Sequence, residues 1–523
     1  MTGSSANESP RLVRESAAGS LGSVVALGAG LLLDLTLGIL LGAGSETDAL
    51  YAALRIPLGI AVFFPPTVIQ VLVPAISRWL ETIDARRTNA QATATLLGTF
   101  ILTGGLAVAC ILLADVLIRA IAPGLGAATQ DLSADLARTA FLIIPPLAAA
   151  QVLLAFRHAH RRHGLASAVQ AIPGLTVVGI LVASPGRAVV QLVVSSYVAG
   201  AVLQLIASWL LARNSGFSFV PGRLLTPEIR VVGIRSLRPL AASALQLATR
   251  VVELIFASFL APGSITILTY ANRLVSAIGG TLLFKPVMTA FIAPMSRLHA
   301  AGNTDALRNM LRDGLRLMLL ISVSVTALVA VGGAPFVAGV FAAGDFTADQ
   351  ARLLGITVAV YAASLPTAAI QRMLLGVTFA RLDTTTYLRN TIVGAAANLL
   401  LLGAAMAFWR PPMLLMVPVA YSLAQIVNVW HAATNVRTQL GRVFVGLRVV
   451  IWRLALVVTA AVMAMIPIRL WLAPDLAAGP TALIVGGLTT CLVGTLALGA
   501  GALLVTPTEV RQIIQNSRSG ADR

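Results

Sequence analysis

The sequence predicts an all-α polytopic membrane protein, with about 14 transmembrane helices arranged as two six-helix lobes plus two C-terminal helices. Three observations carry that expectation: the apolar composition, arginines confined to alternate loops, and an internal repeat whose copies start six spans apart. Of 523 residues, 58% are hydrophobic and 11% charged, and the mean hydropathy is +0.89. A soluble chain is about half apolar and about a quarter charged, so a bilayer is the natural solvent. Each crossing of about 30 Å of hydrocarbon takes about 20 apolar residues, and the length counts spans rather than soluble domains.

The formal net charge of +17 would suit a polyanion binder only if the basic residues clustered. They alternate instead. Arg11 and Arg14 precede the first apolar run, Arg78, Arg86 and Arg87 follow the second, Arg157, Arg161 and Arg162 the fourth, and Arg213, Arg223 and Arg230 the sixth. The pattern continues through Arg297, Arg308 and Arg312, then Arg381, then Arg437, Arg442 and Arg448, and ends with Arg511, Arg518 and Arg523. The other loops carry Glu46, Asp48, Asp115, Asp131, Asp135, Asp345, Asp349 and Asp475. This positive-inside bias predicts a multi-pass protein with both termini in the cytoplasm. The charge sets topology, and nucleic acid is not an expected partner.

The first apolar run, centred near Ala29, comes after a polar stretch without a small-residue cleavage site, so it is expected to act as its own insertion signal. Runs near Val62, Leu106, Ala148, Val177 and Val202 complete the first six. Runs near Leu254, Leu283, Val325, Ala362, Ala397 and Tyr421 form the next six, and those near Ala461 and Leu492 the final pair. Pro65, Pro66, Pro146, Pro286 and Pro366 fall inside runs, where proline bends a membrane helix and frees a carbonyl. The implied organisation is a cytoplasmic tail at 1–16, a first lobe at 17–213, a cytoplasmic linker at 214–228, a second lobe at 229–436, two further spans at 437–506 and a tail at 507–523.

The segment from Leu35 to Arg78 matches that from Leu254 to Arg297 without a gap, at an offset of 219. Identities include Gly44/Gly263, Ser45/Ser264, Thr47/Thr266, Tyr51/Tyr270, Ala52/Ala271 and Arg78/Arg297, and Asp34 faces Glu253 one position earlier. After a one-residue slip, Pro146, Gln151 and Arg161 match Pro366, Gln371 and Arg381. An even number of spans between copies gives both the same orientation. Such parallel repeats build transporters whose halves rock about a central cavity.

Ionisable residues at membrane depth are functional candidates by default. Asp34, Arg55, Arg250, Glu253 and Arg273 form a charge layer in the outer third of the two halves. They serve either as structural pairs, Asp34 with Arg55 and Glu253 with Arg250 or Arg273, or as cavity charges that exchange partners between states. Lys285 is the only lysine in the sequence and stands at mid-depth just before Pro286. Its ammonium could bind a phosphate, or its stem could snorkel to the surface. His158, His160 and His163 share a loop with three arginines and read as an anchoring loop rather than a metal site, and Asp383 reads as a helix start. Cys110 and Cys491 have neither metal nor disulfide spacing. No nucleotide-binding, zinc or nucleophile motif is present, so no catalytic residue, metal or cofactor is expected.

Leu41-Gly42-Ala43-Gly44 followed by Thr47-Asp48-Ala49 and Arg55-Ile56-Pro57 resembles the first hairpin of the MurJ/MviN lipid II flippases. Phe256 to Leu260 with Gly263-Ser264, then Tyr270-Ala271-Asn272-Arg273-Leu274, is similar to that family's seventh and eighth helices. Gly314-Leu315-Arg316-Leu317 and Gly344-Asp345-Phe346-Thr347 resemble its ninth span and the next loop. The resemblance implies the fold of the multidrug/oligosaccharidyl-lipid/polysaccharide exporters and a cationic cavity. It further implies movement of lipid II to the outer leaflet of a bacterial inner membrane, driven by an ion gradient or the membrane potential. On this reading Arg55, Arg250, Arg273 and Lys285 bind substrate, and Asp34, Asp48 and Glu253 gate or couple. The expected partners are a lipid-linked oligosaccharide, membrane lipids and cell-envelope synthesis proteins, around a monomeric transporter unit with an unidentified coupling ion. Leu27, Leu33, Ala61 and Val62 stand where family members carry arginines, and Ser276 where they carry an acid. A transport-inactive scaffold of cell-envelope synthesis and an exporter of a different glycolipid therefore remain alternatives; a membrane glycosyltransferase, lacking a sizeable acidic outer loop, ranks last.

Overall fold

The computed structural model describes residues 8–505 except 161, 163, 185–189, 343, 382–383, 409–412, 442, 445 and 473–478. Arg161, His163, Asp383, Arg442, Asp475, Arg511, Arg518 and Arg523 lie outside the described residues, as do the side chains of Arg11, Arg14, Ala61, Val62, Pro65, Pro66 and Arg448. The described residues contain helices and no strand. Lipid offers backbone groups no hydrogen bonds, so a spanning segment must satisfy them within itself. Twelve helical stretches are long and apolar enough to cross a membrane. The two remaining expected spans correspond to helices Ser45–Thr82 and Met416–Leu440, of 38 and 25 residues.

The chain divides into two compact units, Met1–Thr266 and Ile267–Arg523. The first holds α1 (Glu8–Leu41), α2 (Ser45–Thr82), α3 (Ala85–Leu112), α4 (Ala114–Ile121), α5 (Ala127–Ala140), α6 (Ile144–Ala159), α7 (Gly164–Ala168), α8 (Ile172–Ala183), α9 (Val190–Arg213) and α10 (Pro227–Ser258). Then α11 (Ser264–Ser276) runs on into the second unit, followed by α12 (Lys285–Ala300), α13 (Thr304–Leu328), α14 (Ala334–Phe341), α15 (Ala348–Ala362), α16 (Leu365–Ala380), α17 (Thr384–Phe408), α18 (Met416–Leu440), α19 (Leu447–Leu472) and α20 (Gly479–Val505).

Packing repeats as the sequence does. In the first unit α6 lies against α2, α3 and α9, and α8 against α9. In the second, α16 lies against α12, α13 and α18, and α17 against α18. One element departs: α10 opens the second sequence copy but packs on α2 inside the first compact unit. The pair α19 and α20 adds to the second unit by packing α20 along α14. A Cβ on Gly487 would stand 2.7 Å from the backbone nitrogen of Phe336, so only glycine permits that approach.

The core of the first unit gathers Leu72, Ile76, Trp79, Val152, Phe156 and Phe217. Removing such a side chain costs about 2–5 kcal/mol. Phe217 belongs to the expected linker, which is strapped to the unit. The Asn89 side chain donates to the Gly216 carbonyl at 3.2 Å and accepts from the Ser218 N–H at 3.0 Å, and Thr93 Oγ1 accepts from the Val220 N–H at 3.3 Å. Arg162 donates to the Asn214 carbonyl at 2.6 Å. In the second unit Arg308 and Arg312 likewise donate to the carbonyls of Leu440 and Val443, at 2.5 and 3.2 Å. Cations at a helix C-terminus answer its orphan carbonyls and its dipole. Phe100, Ile101, Leu102 and Leu112 on α3, and Trp452, Leu456, Met463 and Trp471 on α19, are exposed, as lipid-facing surfaces require.

Helices α6, α8, α12 and α14 carry proline as their second residue directly after a 3₁₀ or π turn. Short 3₁₀ turns, Phe141–Ile143 and Val169–Ala171, precede Pro145 and Pro173. Wider π-helical turns, Ala277–Phe284 and Val329–Gly333, precede Pro286 and Pro335. Proline has no N–H and its ring meets the carbonyl four residues back, so the regular ladder cannot pass through it. A second expected irregularity lies at Pro366, where the run breaks between α15 and α16.

Candidate functional site

Asp48, in the first turn of α2, is 2% exposed and fully engaged. One carboxylate oxygen accepts from the Gly263 N–H at 2.7 Å, and the other accepts from the Thr266 N–H at 2.9 Å and the Thr266 hydroxyl at 2.7 Å. Those donors are the first turn of α11, whose N–H groups have no partners in their own helix. A carboxylate there is also favoured by the helix dipole. Gly263 adopts φ +89°, and a Cβ on it would lie 2.5 Å from the Ala43 carbonyl oxygen, so the two hairpin turns touch backbone to backbone.

The repeat mates behave differently. Thr47 caps its own helix, its hydroxyl accepting from the Gly44 N–H at 2.8 Å. Thr266 instead donates to Asp48. Around this contact Ser133 donates to the Ala49 carbonyl at 3.0 Å, and Ser258 Oγ accepts from the Gly124 N–H at 3.0 Å. The turns at Ala43, Gly124 and Gly263 thus form one hydrogen-bonded layer in the first unit. Ser133, Ser258 and Gly124 carry no distinguishing sequence signal, because their partners are set by folding alone.

Further charges lie deeper. Asp34 on α1 is 3% exposed and Arg55 on α2 half-buried. Arg250 and Glu253 pair within α10 at 3.0 Å, with side chains 24% and 9% exposed. That places Glu253 with Arg250, one of its two expected partners. In the second unit Arg273 is half-buried near the end of α11, and Lys285 is exposed as the first residue of α12, directly after the π turn.

Arg372 on α16 was not among the sequence candidates. It is exposed, and its guanidinium lies 5.1 Å from the ring centroid of Phe284, the residue before Lys285. A lone arginine in an apolar run is a recognisable signal, but nothing in the sequence says which ring it meets. Elsewhere, His160 bonds the Phe156 carbonyl at 2.9 Å and lies against the Phe156 ring, as an anchoring residue would.

Duplicated helical units, buried intramembrane charges and a capped hairpin layer define a polytopic membrane protein on a repeated scaffold. Residues 38–478 match the family model described as lipid II flippase MurJ. The chain belongs to that family, and the resemblance seen in its first and fourth hairpins holds over most of its length. It is 26% identical over 145 residues to the probable lipid II flippase MurJ of Vibrio cholerae, which is 28% of this chain and 27% of that one. It is 23% identical over 201 residues to the probable lipid II flippase MurJ of Rhizobium meliloti, 38% and 37% of the two chains. The matched stretches therefore span well under half of either relative.

Among solved structures, the chain is similar to a lipid II flippase MurJ in an inward closed conformation, with a TM-score of 0.78 and 15% identity over 93% of this chain and 98% of that one. It is also similar to a multidrug resistance MATE family transporter of the MOP superfamily in an inward-facing conformation, with a TM-score of 0.64 and 16% identity over 80% and 96%. These likenesses establish the fold.

Proposed function

We propose that this chain is a flippase that carries lipid II, a polyprenyl-diphosphate-linked glycan, from the inner to the outer leaflet of a bacterial cytoplasmic membrane. The family match over residues 38–478 is the observation that carries this reading. Both termini lie in the cytoplasm, as the arginine pattern requires, so the Asp48 layer faces outward. The diphosphate enters from inside and engages Lys285 and Arg273 of the second unit, while the polyprenyl tail stays in lipid. Opening to the outside breaks the Asp48 contacts with Gly263 and Thr266, and closing restores them. Asp34 and Glu253 hold the neighbouring cations between turnovers. An ion gradient or the membrane potential biases the two states, and substrate shifts them only through its differential affinity for each.

Replacing the essential lipid II flippase of a bacterial host with this chain tests the reading, with growth and outer-leaflet lipid II scored. Growth and surface lipid II are expected, both lost with Asp48→Asn. Absence of both, with folded protein in the membrane, favours the scaffold reading that Leu27, Leu33, Ala61 and Val62 motivate.

A further inference from the structure

Helix α18 is amphipathic in the inverted sense. Its exposed face carries Leu423, Ile426, Val427 and Trp430, while Gln425, Asn428, His431, Asn435 and Gln439 recur every three or four residues on the opposite side. Residues so spaced share one face of a helix. In the second unit α18 packs against α15, α16 and α17. At the inner end of α18, beside the arginine-bearing loops, Thr378, Arg381, Thr386, Asn390, Asn435 and Gln439 line a cleft, and Arg381 donates to Gln439 Oε1. Deeper in, Asn390 is 1% exposed, and its Oδ1 lies 3.1 Å from His431 Nδ1.

Amides on membrane helices commonly pair with one another and hold the helices together. Here two oxygens are left over. Gln425 Oε1 and Asn428 Oδ1 are buried and have no hydrogen-bond partner among the described residues. A Cβ on Gly394 would lie 2.5 Å from Asn428 Nδ2, so α17 supplies a glycine where that carboxamide is seated. An unmet buried acceptor costs about 1–3 kcal/mol, and in polar surroundings water meets it. Counting about 1.5 Å per residue, the polar face runs about 21 Å from Gln439 to Gln425, with His431 about 12 Å in.

Histidine changes charge near neutral pH. Asn390 Oδ1 can only accept, so Nδ1 of His431 holds the hydrogen and the lone pair lies on Nε2. The elements packed on α18 carry Asp349, Arg352 and Tyr361 on α15, Arg372 on α16 with Arg381 just after it, and Tyr387 and Arg389 on α17; α18 itself adds Tyr421 and Arg437. The one carboxylate among these described residues, Asp349, stands in the first turn of α15, at the outer end. A proton taken by Nε2 therefore adds positive charge near arginines with no acid at hand, and it favours the arrangement of the second unit that separates those charges.

We propose that a hydrated path between α16, α17 and α18 joins the inner face to His431, and that His431 Nε2 binds and releases the proton that couples the transport cycle to the proton gradient. The proposal rests on the flippase reading for the cycle it drives. Its test is histidine C2 hydrogen–deuterium exchange of the full chain in nanodiscs, resolved by residue with mass spectrometry. Lipid II export is measured in parallel in proteoliposomes under an imposed pH gradient or an imposed potential. His431 is expected to give a full titration curve over about pH 5 to 8. Asn435→Leu and Gln439→Leu, which dry the path, are expected to slow exchange at His431 about tenfold or more and at His299 less than about threefold. His431→Gln is expected to abolish the response of export to the pH gradient and to keep the response to potential. A His431 that does not exchange while His299 does, unchanged exchange in both leucine variants, or a pH-gradient response that survives His431→Gln overturns the proposal. Should Asn435→Leu not fold, Gln439→Leu at the exposed mouth decides alone. A titrating, path-dependent His431 in a chain that does not rescue a lipid II flippase deletion sinks the lipid II reading while supporting the proton path. Rescue by a chain whose His431 neither exchanges nor titrates removes the proton site alone.

Discussion

In the first unit the helices tighten to 3₁₀ over Phe141–Ile143 and Val169–Ala171 before meeting Pro145 and Pro173, whereas in the second they widen to π over Ala277–Phe284 and Val329–Gly333 before Pro286 and Pro335. Either solution moves a carbonyl away from the proline ring. The consequences differ. A tight turn keeps neighbouring side chains packed, and Phe141, Ile143, Val169 and Ala171 are all buried. A wide turn inserts a residue and rotates the downstream helix by about 100°, and the residue after the first π turn is the exposed Lys285. The first π turn ends in an exposed charge, whereas at the second Val329 and Ala334 are buried, so display of charge belongs to one wide turn and not to the whole second unit.

The largest test of this contrast falls on the first unit. Asp48→Ala strands buried donors at Gly263 and Thr266, and a loss of about 3–5 kcal/mol is expected, read as the steepest fall in detergent melting temperature. A melting point within a degree or two of wild type would show that the layer is not held by this carboxylate. Next come the mated glycines. Gly263→Ala is expected to cost about 2–4 kcal/mol, because it meets both a positive φ and the Ala43 carbonyl. Gly44→Ala, where φ is −144° and space is open, costs about 1 kcal/mol or less. Similar losses at both glycines would mean that the two turns are equivalent after all.

Pro286→Ala has a smaller and opposite sign. Relieved of the proline, the π turn is expected to return to α-helix, with stability raised by about 1 kcal/mol and transport reduced as Lys285 rotates off its surface. Undiminished transport in a chain whose π turn has gone would separate proline from the display of charge. Last, Ser133→Ala removes one buried hydrogen bond to Ala49 and is expected to cost about 1 kcal/mol by the same melting assay.

Much of the fold was legible because hydrocarbon leaves the backbone few choices. The apolar centres at Ala29 and Tyr421 fall within Glu8–Leu41 and Met416–Leu440, and the repeat read from Gly44/Gly263 and Thr47/Thr266 recurs in the packing of α6 and α16. Pairing of Arg250 with Glu253 was within reach since residues three apart share a helix face. Asp48 could be noticed but its donors could not, because Gly263 lies 215 positions away. Arg372 was hidden for a related reason. Its significance comes from Phe284, 88 positions earlier (372 − 284 = 88), and no periodicity relates the two. The expected linker, read as a connector, proved to be strapped to α3 by Asn89 and Thr93, polar residues that look unremarkable inside an apolar helix.

The solitary lysine also has a use outside transport. A chain of 37 basic residues with a single lysine carries only one side-chain primary amine, on a residue that is exposed at the start of α12. An acylating reagent of the succinimidyl type would modify Lys285 and leave every guanidinium untouched. The native protein therefore comes with a built-in attachment point for a fluorophore, and its reactivity toward impermeant reagents added on either face of a sealed vesicle would report which way the molecule is open, with no engineered cysteine.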